Sequence, residues 1–285
     1  MNNHTTNAIT FDIEDYFQVE TLRPLIEFDD WPRFELRVAQ SVCKLLEIVH
    51  AHSIRATFFV LGWIAERTPD VVREIRRHGH EIACHGYAHR MIYEQTPEEF
   101  RQDIRRAKAI LEDITGDKIV GYRAPTFSIT ERTLWALDIL AEEGFDYDSS
   151  IFPVRHDRYG FPDWSRYIEV VKLRNGATIT EAPPLTLRCF GLNLPVAGGG
   201  YFRLAPLWFS AFAIRRMNSE GHPAVIYLHP WELDPAQPRF PLPPLPRFRH
   251  YVNLATTEVK LRRLLASGSF AGLRDIIAQP PHVSL

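Results

Sequence analysis

Apolar runs that suit β-strands alternate along the chain with segments of helical periodicity. A strand-type run is short and continuous, whereas a helical segment repeats its apolar positions every three or four residues. The predicted strands are residues 8–13, 55–61, 81–84, 119–122, 167–173, 178–182 and 224–228. The predicted helices are residues 36–51, 69–78, 97–115, 130–143, 206–220 and 257–266. This alternation predicts a parallel α/β fold, and the number of short units favours a barrel-like closure.

Local signals refine several of these boundaries. The run Thr96-Pro97-Glu98-Glu99 combines a capping box with a proline in the first turn, and it predicts the start of a helix that ends at Gly116. Six prolines lie within residues 234–246, so we expect no regular structure there. The run Gly198-Gly199-Gly200 is expected to form a flexible turn.

Composition and charge narrow the class of the protein. The 285 residues are 45% hydrophobic and 24% charged, which are ordinary values for a globular protein. A formal net charge of −2 gives no general attraction to nucleic acid or to an anionic membrane. We see no signal peptide and no apolar run near 18 residues, so we expect a cytoplasmic protein without a membrane span. The composition does not determine the oligomeric state, and a homo-oligomer is compatible with it.

Cysteine usage and length bear on the domain organisation. Cys43, Cys84 and Cys189 are odd in number and far apart, so they predict no disulfide framework. The length suits one barrel domain with a tail. We therefore expect a barrel over residues 1–230 and a proline-rich C-terminal extension over residues 231–285 that packs on it.

Two histidines four positions apart form the sharpest chemical motif. The run His85-Gly86-Tyr87-Ala88-His89 can bring two imidazoles to one cation from a helical turn or a tight loop. Chance spacing is the competing explanation, because the chain has 12 histidines. The nearby His80-Glu81 begins like a zincin motif, but Cys84 stands where the second histidine would be. A zincin protease is therefore excluded.

An acidic cluster follows the first predicted strand. Asp12, Glu14 and Asp15 fall within four positions, and such carboxylates repel one another unless they are solvated, paired or bound to a cation. Strand geometry places Asp12 and Glu14 on one face. Sites of α/β proteins assemble at the carboxyl ends of parallel strands. One carboxylate and the two histidines would complete a three-ligand metal site, and an unligated carboxylate could serve as a general base.

Two further motifs also follow predicted strands. Arg123 could pair with a buried carboxylate, and Pro125 would stiffen a loop in which the N–H of Thr126 could face an oxyanion. The same segment would equally serve as a plain strand–helix connection. His229 follows the last clear strand and precedes a proline, which suits a general acid, although a structural histidine is the commoner outcome at such a position.

In their order along the chain, these motifs resemble those of the NodB-homology polysaccharide deacetylases, carbohydrate esterase family 4. The resemblance covers residues 8–230 and rests on Thr10-Phe11-Asp12, His85 to His89, Arg123-Ala124-Pro125 and Leu228-His229. The first motif departs from the family pattern, because Ile13 stands where the family has a second aspartate. The runs D-I-E-D-Y-F-Q, L-H-P-W-E-L-D-P and R-F-R-H-Y-V-N resemble a subfamily associated with bacterial exopolysaccharide and PEP-CTERM loci.

The resemblance implies a deformed (β/α) barrel and metal-dependent N-deacetylation of N-acetylhexosamine units in a bacterial polysaccharide or its oligosaccharide precursor. It implies that Asp12 is the general base, that Arg123 orients it, and that His229 is the general acid. It also implies one divalent metal ion, zinc in the first place and cobalt or nickel as alternatives, held by His85 and His89.

Some positions in the implied site stay open. Strand alternation favours Glu14 as the third metal ligand, because it shares a face with Asp12, and Asp15 is the alternative if the strand ends early. Asp148 and Asp163 are alternatives for an aspartate that tunes the acid. The N–H of Thr126 is the implied oxyanion donor. The residues expected to contact an N-acetylated glycan substrate are Tyr87, Pro125, Phe127, Tyr201 and Trp231. Core packing is the competing explanation for the aromatic members of this set.

Two other functions remain alternatives at this point. A cyclic-amide hydrolase of the allantoinase type has the same fold and also alters the first motif. A non-catalytic carbohydrate-binding protein would keep the barrel without turnover. The presence of both Asp12 and His229 argues against the non-catalytic alternative.

Overall fold

The computed structural model describes residues 5–156 and 158–278. Within these ranges, nine strands form one sheet and two form a separate hairpin. The sheet strands are β1 (Asn7–Ile13), β2 (Thr57–Val60), β3 (Glu81–Cys84), β4 (Gly121–Tyr122), β5 (Tyr147–Asp148), β6 (Glu169–Lys172), β7 (Thr178–Glu181), β10 (Val225–Leu228) and β11 (Phe270–Ala271). The hairpin consists of β8 (Thr186–Cys189) and β9 (Leu192–Pro195).

Strand β1 pairs with three other strands of the sheet, β10, β2 and β11. The strand order is β10-β1-β2-β3-β4-β5-β7-β6, and β11 pairs with Asn7 and Ala8 at the start of β1. Neighbours along this path are parallel except β6 and β7. All of β1 is buried, as expected for a strand covered on both faces. The curled sheet confirms the predicted parallel α/β fold.

Ten α-helices accompany the strands in the described ranges. They are α1 (Val38–Ala51), α2 (Gly62–Arg67), α3 (Pro69–Arg77), α4 (Pro97–Thr115), α5 (Trp135–Glu142), α6 (Gly199–Leu204), α7 (Leu207–Ser219), α8 (Pro244–Tyr251), α9 (Leu254–Leu265) and α10 (Leu273–Ile277). The capping box that predicted α4 is formed: the hydroxyl of Thr96 accepts from the N–H of Glu99, whose carboxylate accepts from the N–H of Thr96. Gly116 ends α4 in the left-handed conformation, also as predicted.

The helix predicted over residues 130–143 is divided in the structure. A short 3-10 helix occupies Glu131–Thr133, and α5 begins only at Trp135. The side chain of Thr133 explains the division, because its hydroxyl accepts from the N–H of Thr130 and donates to the carbonyl of Ser128. Such local hydrogen bonds compete with the helical pattern.

Two predictions of irregular structure were wrong. The triglycine run leads directly into α6, because Gly198 packs against β10: a Cβ there would lie 1.7 Å from the carbonyl oxygen of Tyr227. The glycine permits a close approach of two backbones. Helix α8 begins at Pro244, inside the proline-rich segment, since prolines in a first helical turn lose no helical hydrogen bond.

The sequence analysis did not predict the β8–β9 hairpin. Its strands have four residues each, and Phe190 and Gly191 between them both have positive φ, as tight hairpin turns require. Phe190 is fully exposed, so the hairpin has no continuous apolar pattern to signal it.

In the described part of the chain, no helix combines the length and apolar character needed to cross a bilayer.

Candidate metal centre and active site

Four strands deliver the predicted site residues to one edge of the sheet. Asp12 lies near the end of β1, and His85, Arg123 and His229 each directly follow the last residue of β3, β4 and β10. The four strands are parallel and, with β2 between β1 and β3, follow one another in the sheet, so their carboxyl ends lie at the same end of it. The motifs, which are up to 217 positions apart, therefore meet at the carboxyl end of the sheet.

Glu14, His85 and His89 form a buried cluster of metal-ligand type. One potential ligand atom from each residue lies within 4.8 Å of those of the other two. Oε2 of Glu14 lies 2.9 Å from Nε2 of His89, and the two imidazole centroids are 5.5 Å apart. The structure thus brings Glu14, rather than Asp15, to the two histidines.

Hydrogen bonding fixes the orientation of His85. Its Nδ1 lies 2.8 Å from the carbonyl oxygen of Arg123, so Nδ1 carries the proton of the neutral ring. Burial disfavours the imidazolium form and lowers the pKa of His85 to about 4. Nε2 of His85 is therefore left as a lone-pair donor, the state in which histidine binds a metal.

The backbone conformation of the loop from His85 to His89 is fixed by its surroundings. His89 has φ of +52°, a left-handed conformation that a non-glycine residue adopts only when its surroundings enforce it. The carboxylate of Asp103 accepts from the N–H of Tyr87 and anchors the loop between the two histidines. The H-x-x-x-H motif is therefore a fixed loop rather than a helical turn.

The two oxygens of the Glu14 carboxylate have different neighbours. The indole N–H of Trp231 donates to Oε1 at 3.0 Å, whereas the buried Oε2 faces Nε2 of His89 at 2.9 Å. Burial opposes ionisation, but His89 and the other histidines outweigh it and lower the pKa of Glu14 to about 2. A buried, ionised oxygen beside two imidazole nitrogens fits a divalent cation, and an N₂O donor set is typical of zinc.

Asp15 has a different task. Its carboxylate accepts from the backbone N–H groups of Tyr16, Arg37 and Val38, which places it at the first turn of α1. These bonds satisfy amides that the helix itself leaves unpaired. Burial raises the pKa of Asp15 to about 6 despite the hydrogen bonds.

Asp12 is held by Arg123. Nη1 of Arg123 donates to Oδ1 of Asp12 at 2.7 Å and to the hydroxyl of Thr10 at 2.8 Å. Nη2 donates to the hydroxyl of Ser149, and the guanidinium lies 4.1 Å from the centroid of Phe59. Oδ2 of Asp12 lies 3.8 Å from Nε2 of His229. Oδ1 of Asp12 is thus fixed by Arg123, whereas Oδ2 faces the imidazole of His229.

The carboxylate that contacts His229 is Glu232, so the expectation of Asp148 or Asp163 in this role was wrong. Nδ1 of His229 lies 3.0 Å from Oε2 of Glu232. Asp148 instead accepts from the hydroxyl and N–H of Ser150. The signal was present in the sequence, because Pro230 and Glu232 occupy the first and third positions of a short 3-10 helix whose cap is His229.

Burial and charge act in opposite directions on His229. Burial disfavours the imidazolium form, but the hydrogen bond to Glu232 and the charge of Glu14 outweigh it and raise the pKa to about 9. Trp231 stacks on the imidazole with centroids 5.3 Å apart. The surroundings of His229 thus favour the imidazolium form, which is the form that a general acid requires.

Sequence reasoning also missed Arg203. This residue is buried, and its Nε donates to Oε1 of Glu232 at 2.7 Å. Nothing in the local sequence marks Arg203, which lies in the helix that follows the triglycine run. Only the fold brings it to Glu232.

The predicted substrate contacts are distributed unevenly around the site. Trp231 adjoins both Glu14 and His229, and Phe127 packs against Tyr227 with centroids 4.7 Å apart. The hydroxyl of Tyr201 lies 3.3 Å from that of Tyr159. Tyr87 instead donates to Glu66 and lies beneath the guanidinium of Arg106, and it is buried.

The segment Pro125–Phe127 forms a short 3-10 helix directly after Arg123. Pro125 is buried, and Thr126 and Phe127 both have φ of +54°. Two consecutive non-glycine residues in this conformation store strain, which is concentrated at functional sites. The predicted oxyanion donor, Thr126, thus has a non-helical backbone within a short segment that closely follows Arg123 in the chain.

The fold and the cluster together define an α/β protein with a candidate mononuclear metal centre at the carboxyl end of a curled parallel sheet. Residues 23–146 match the family described as polysaccharide deacetylase. Residues 149–278 match a family described as a domain of unknown function, DUF3473. His85, His89 and Arg123 fall in the first match, whereas His229 and Glu232 fall in the second.

A relative among curated proteins supports the family assignment. The peptidoglycan-N-acetylglucosamine deacetylase of Bacillus cereus is 33% identical over 114 residues, which are 40% of this chain and 40% of that protein. The chain therefore aligns with less than half of the length of this relative. The likeness concerns a shared domain rather than the whole protein.

Two solved structures share the fold. A protein of Mycobacterium smegmatis classed as a polysaccharide deacetylase has a TM-score of 0.62 at 22% identity, covering 100% of this chain and 96% of that one. The PuuE allantoinase has a TM-score of 0.61 at 17% identity, covering 97% and 91%. These likenesses confirm the deformed (β/α) barrel architecture.

Proposed function

We propose that the protein is a metal-dependent hydrolase that removes acetyl groups from N-acetylhexosamine units of a glycan. The observation that carries the proposal is the buried Glu14–His85–His89 cluster, which adjoins one anchored carboxylate, Asp12, and one imidazole, His229. Hydrolysis of an acetamide needs a base for water and an acid for the amine, and this site offers both.

We propose that Glu14, His85 and His89 hold one divalent ion. Zinc suits one carboxylate and two imidazoles best, and cobalt or nickel would suit the same donors. When bound, such an ion polarises the acetyl carbonyl and lowers the pKa of water to about 7 in favourable cases. The buried Oε2 of Glu14, 2.9 Å from Nε2 of His89, and the lone pair left on His85 support this assignment.

Asp12 is proposed as the general base. Arg123 occupies Oδ1, which keeps that oxygen out of the ligand cluster and leaves Oδ2 toward the centre of the site. The attacking water transfers its proton to Oδ2 as its oxygen adds to the acetyl carbon. The N–H of Thr126 is the proposed donor to the oxyanion that develops on the carbonyl oxygen.

His229 is proposed as the general acid. Glu232 holds its Nδ1, so Nε2 is the nitrogen that faces Asp12 and Glu14. The amine cannot depart as an anion, and Nε2–H supplies the proton as the C–N bond breaks. The raised pKa of about 9 supports this role, because it keeps the proton in place at neutral pH.

The substrate class follows from the relatives and remains a proposal. The Bacillus cereus relative is named for peptidoglycan N-acetylglucosamine, which contains the same N-acetylhexosamine unit. The resemblance to an exopolysaccharide-associated subfamily supports a bacterial polysaccharide or its oligosaccharide precursor. We propose Trp231, Phe127 and Tyr201 as sugar contacts, with Tyr87 and Pro125 shaping the adjoining loops.

Acetate release from chitooligosaccharides by the zinc-loaded protein tests the proposal directly. We expect release that a chelator abolishes and that zinc restores, and His85→Ala should match the chelated enzyme. The fold similarity to PuuE allantoinase makes allantoin the comparison substrate. Hydrolysis of allantoin without acetate release would establish the cyclic-amide alternative, and metal and sugar binding without turnover would establish the non-catalytic one.

A further inference from the structure

The side chain of Arg203 in α6 donates hydrogen bonds to two parts of the chain, the carboxylate of Glu232 and the backbone of residues 249–252. Nε donates to Oε1 of Glu232 at 2.7 Å. Nη1 donates to the carbonyls of His250 and Val252, both at 2.8 Å, and Nη2 donates to that of Arg249 at 3.0 Å. A guanidinium has five donors in a rigid plane, and four bonds leave its position strongly determined.

Glu232 is bound from both sides. Oε1 accepts from Arg203, and Oε2 accepts from the backbone N–H of His229 at 2.9 Å and lies 3.0 Å from Nδ1 of its ring. The side chains of Arg203 and Glu232 are 2% and 0% exposed. Without water to take the place of a lost partner, the carboxylate can turn only if Arg203 or His229 moves with it.

The carbonyl acceptors belong to the end of α8 and the turn that follows it. Residues at a helix C-terminus leave carbonyls without an internal donor, and Arg203 satisfies three of them. Asn253 reciprocates, because its side-chain amide donates to the carbonyl of Arg203 at 2.9 Å. The ring of His250 also stacks on Trp231 with centroids 4.8 Å apart. Residues 249–253, here named the anchor segment, thus contact Arg203 and Trp231, which in turn contact Glu232 and His229.

We propose that Arg203 is a positioning residue for His229, and that the anchor segment sets the direction of the imidazole through the chain Arg203–Glu232–His229. This inference rests on the proposed deacetylase function, in which His229 delivers a proton to the amine. A displacement of about 1 Å at such a group can cost about 10²-fold in rate. The C-terminal part of the protein therefore contributes to the chemistry without touching the substrate.

A purely structural role for Arg203 makes a different prediction. If Arg203 only stabilised the fold, its loss would lower stability. The rate losses caused by removing Arg203 and by removing Glu232 would then be independent, and the double variant would show the product of the two. If it acts through Glu232, the two residues form one unit, and removing both costs no more than removing the more important one. A double-mutant cycle separates the two roles.

The experiment compares the full-length variants Arg203→Met, Glu232→Gln and their combination. With chitooligosaccharide, we expect each single variant to lower kcat about 10²-fold with little change in KM, and the double variant to be no slower than the slower single one. With 4-nitrophenyl acetate, whose leaving group needs no proton, the losses should be much smaller. The matched control is Arg166→Met, because Arg166 also pairs with a glutamate, Glu220 at 3.3 Å, but lies outside this chain of contacts. Multiplying losses in the cycle would overturn the proposal.

A measurement that needs no turnover keeps the inference independent of the proposed function. The Nδ1 proton of His229 should give a low-field NMR resonance that is absent from His229→Ala. We expect it to be lost or shifted in Glu232→Gln and in Arg203→Met but unchanged in Arg166→Met. An unchanged resonance in Arg203→Met, or none in the wild type, refutes the positioning role. If chitooligosaccharide is not deacetylated while the resonance behaves as expected, the proposed function fails and the positioning role stands.

Arg203→Lys decides the case if the methionine variant does not fold. Lysine keeps the positive charge beside Glu232, but it cannot span the carboxylate and three carbonyls with a planar fork. We expect a fall of about tenfold in kcat on chitooligosaccharide and a shifted Nδ1 resonance. Wild-type kcat together with an unchanged resonance would contradict the proposal.

Discussion

Nη1 of Arg123 donates a 2.7 Å hydrogen bond to Oδ1 of Asp12, which lies 111 positions earlier in the chain. The two side chains are 0% and 3% exposed, so water cannot substitute for either partner. The pairing commits one carboxylate oxygen and directs the other toward His229. A carboxylate in this arrangement is better placed to accept a proton than to bind a cation.

Asp12→Asn should therefore keep the metal and lose the reaction. The amide preserves the size of the side chain and a partner for Arg123 but cannot accept the proton of water. We expect bound zinc near the wild-type amount, measured by elemental analysis, and a fall of about 10²–10⁴-fold in acetate release. Loss of zinc in this variant would instead make Asp12 a ligand, and near-normal turnover would remove it from the role of base.

Arg123→Met should destabilise the protein through Asp12. The substitution leaves a buried carboxylate without its cation, and breaking such pairs commonly costs about 3–5 kcal/mol. Urea unfolding should show this loss, and the double variant Asp12→Asn, Arg123→Met should recover part of it because no buried charge remains. Equal stability of the single and double variants would show that the ion pair is not the cause.

The two neighbouring carboxylates should separate metal binding from stability. Glu14→Gln removes a proposed ligand and should lose most of the bound zinc. Asp15→Asn is the matched control, because Asp15 binds the amides at the start of α1. It should retain zinc while the free energy of unfolding falls by about 1 kcal/mol, the usual cost of a weakened helix cap. The reverse pattern would transfer the third ligand position to Asp15.

The rate of amide hydrolysis should fall at alkaline pH. The folded-state pKa of His229, about 9, lies above the value of about 6.5 for an unperturbed histidine. The folded protein therefore keeps this proton at neutral pH and loses it as the pH rises through about 9. The stability that the raised pKa contributes is fully present below about pH 6.5 and is lost over the same rise. A cation on Glu14 would offset part of the charge that raises this pKa, so the midpoint should fall between the two values.

Glu232→Gln checks the cause of this pH dependence. Loss of the carboxylate removes the hydrogen bond that raises the pKa of His229, so the alkaline limb of the profile of kcat against pH should move to lower pH. Arg166→Met serves as the control with an unshifted limb. An identical limb in Glu232→Gln would assign the titration to another group.

Truncation after Asp234 tests the proposed division near residue 230. The removed part supplies β11, which pairs with β1, and the carbonyls that Arg203 binds. Without them, Arg203 loses three acceptors in a buried position and the start of β1 loses a neighbour. We expect an insoluble protein or a strongly lowered Tm. A soluble truncation with full acetate release would show that the extension is dispensable.

The ligand cluster could be predicted from sequence because each motif directly follows an apolar strand. Once β10, β1, β2, β3 and β4 lie in this order in one parallel sheet, Asp12, His85 and His229 come to the same end of it. The choice between Glu14 and Asp15 could not be made, because it depends on the amides of α1, which lie more than twenty positions away and attract Asp15.

The partners of His229 show a different limit. Glu232 was readable as part of a local cap, whereas Arg203 becomes adjacent only when α6 packs against the C-terminal part of the chain. Periodicity predicted the long helices well, since their apolar faces are continuous. It failed for α6 and for the β8–β9 hairpin, where glycine contacts or a short turn determine the backbone.

The pairing of β1 also constrains the order in which the protein can fold. Ala8 is paired with Val225 and with Ala271, so both contacts close loops of more than 200 residues. Closing such loops costs entropy before the new contacts repay it, and folds rich in distant contacts form slowly. During synthesis, β1 and β2 can associate early. Strand β1 can pair with β10 and β11 only after these distant segments, up to residue 271, have left the ribosome. Among the described strands, the one that carries Asp12 precedes all the others in the chain, yet it gains its full set of neighbours only when the last of them, β11, is in place.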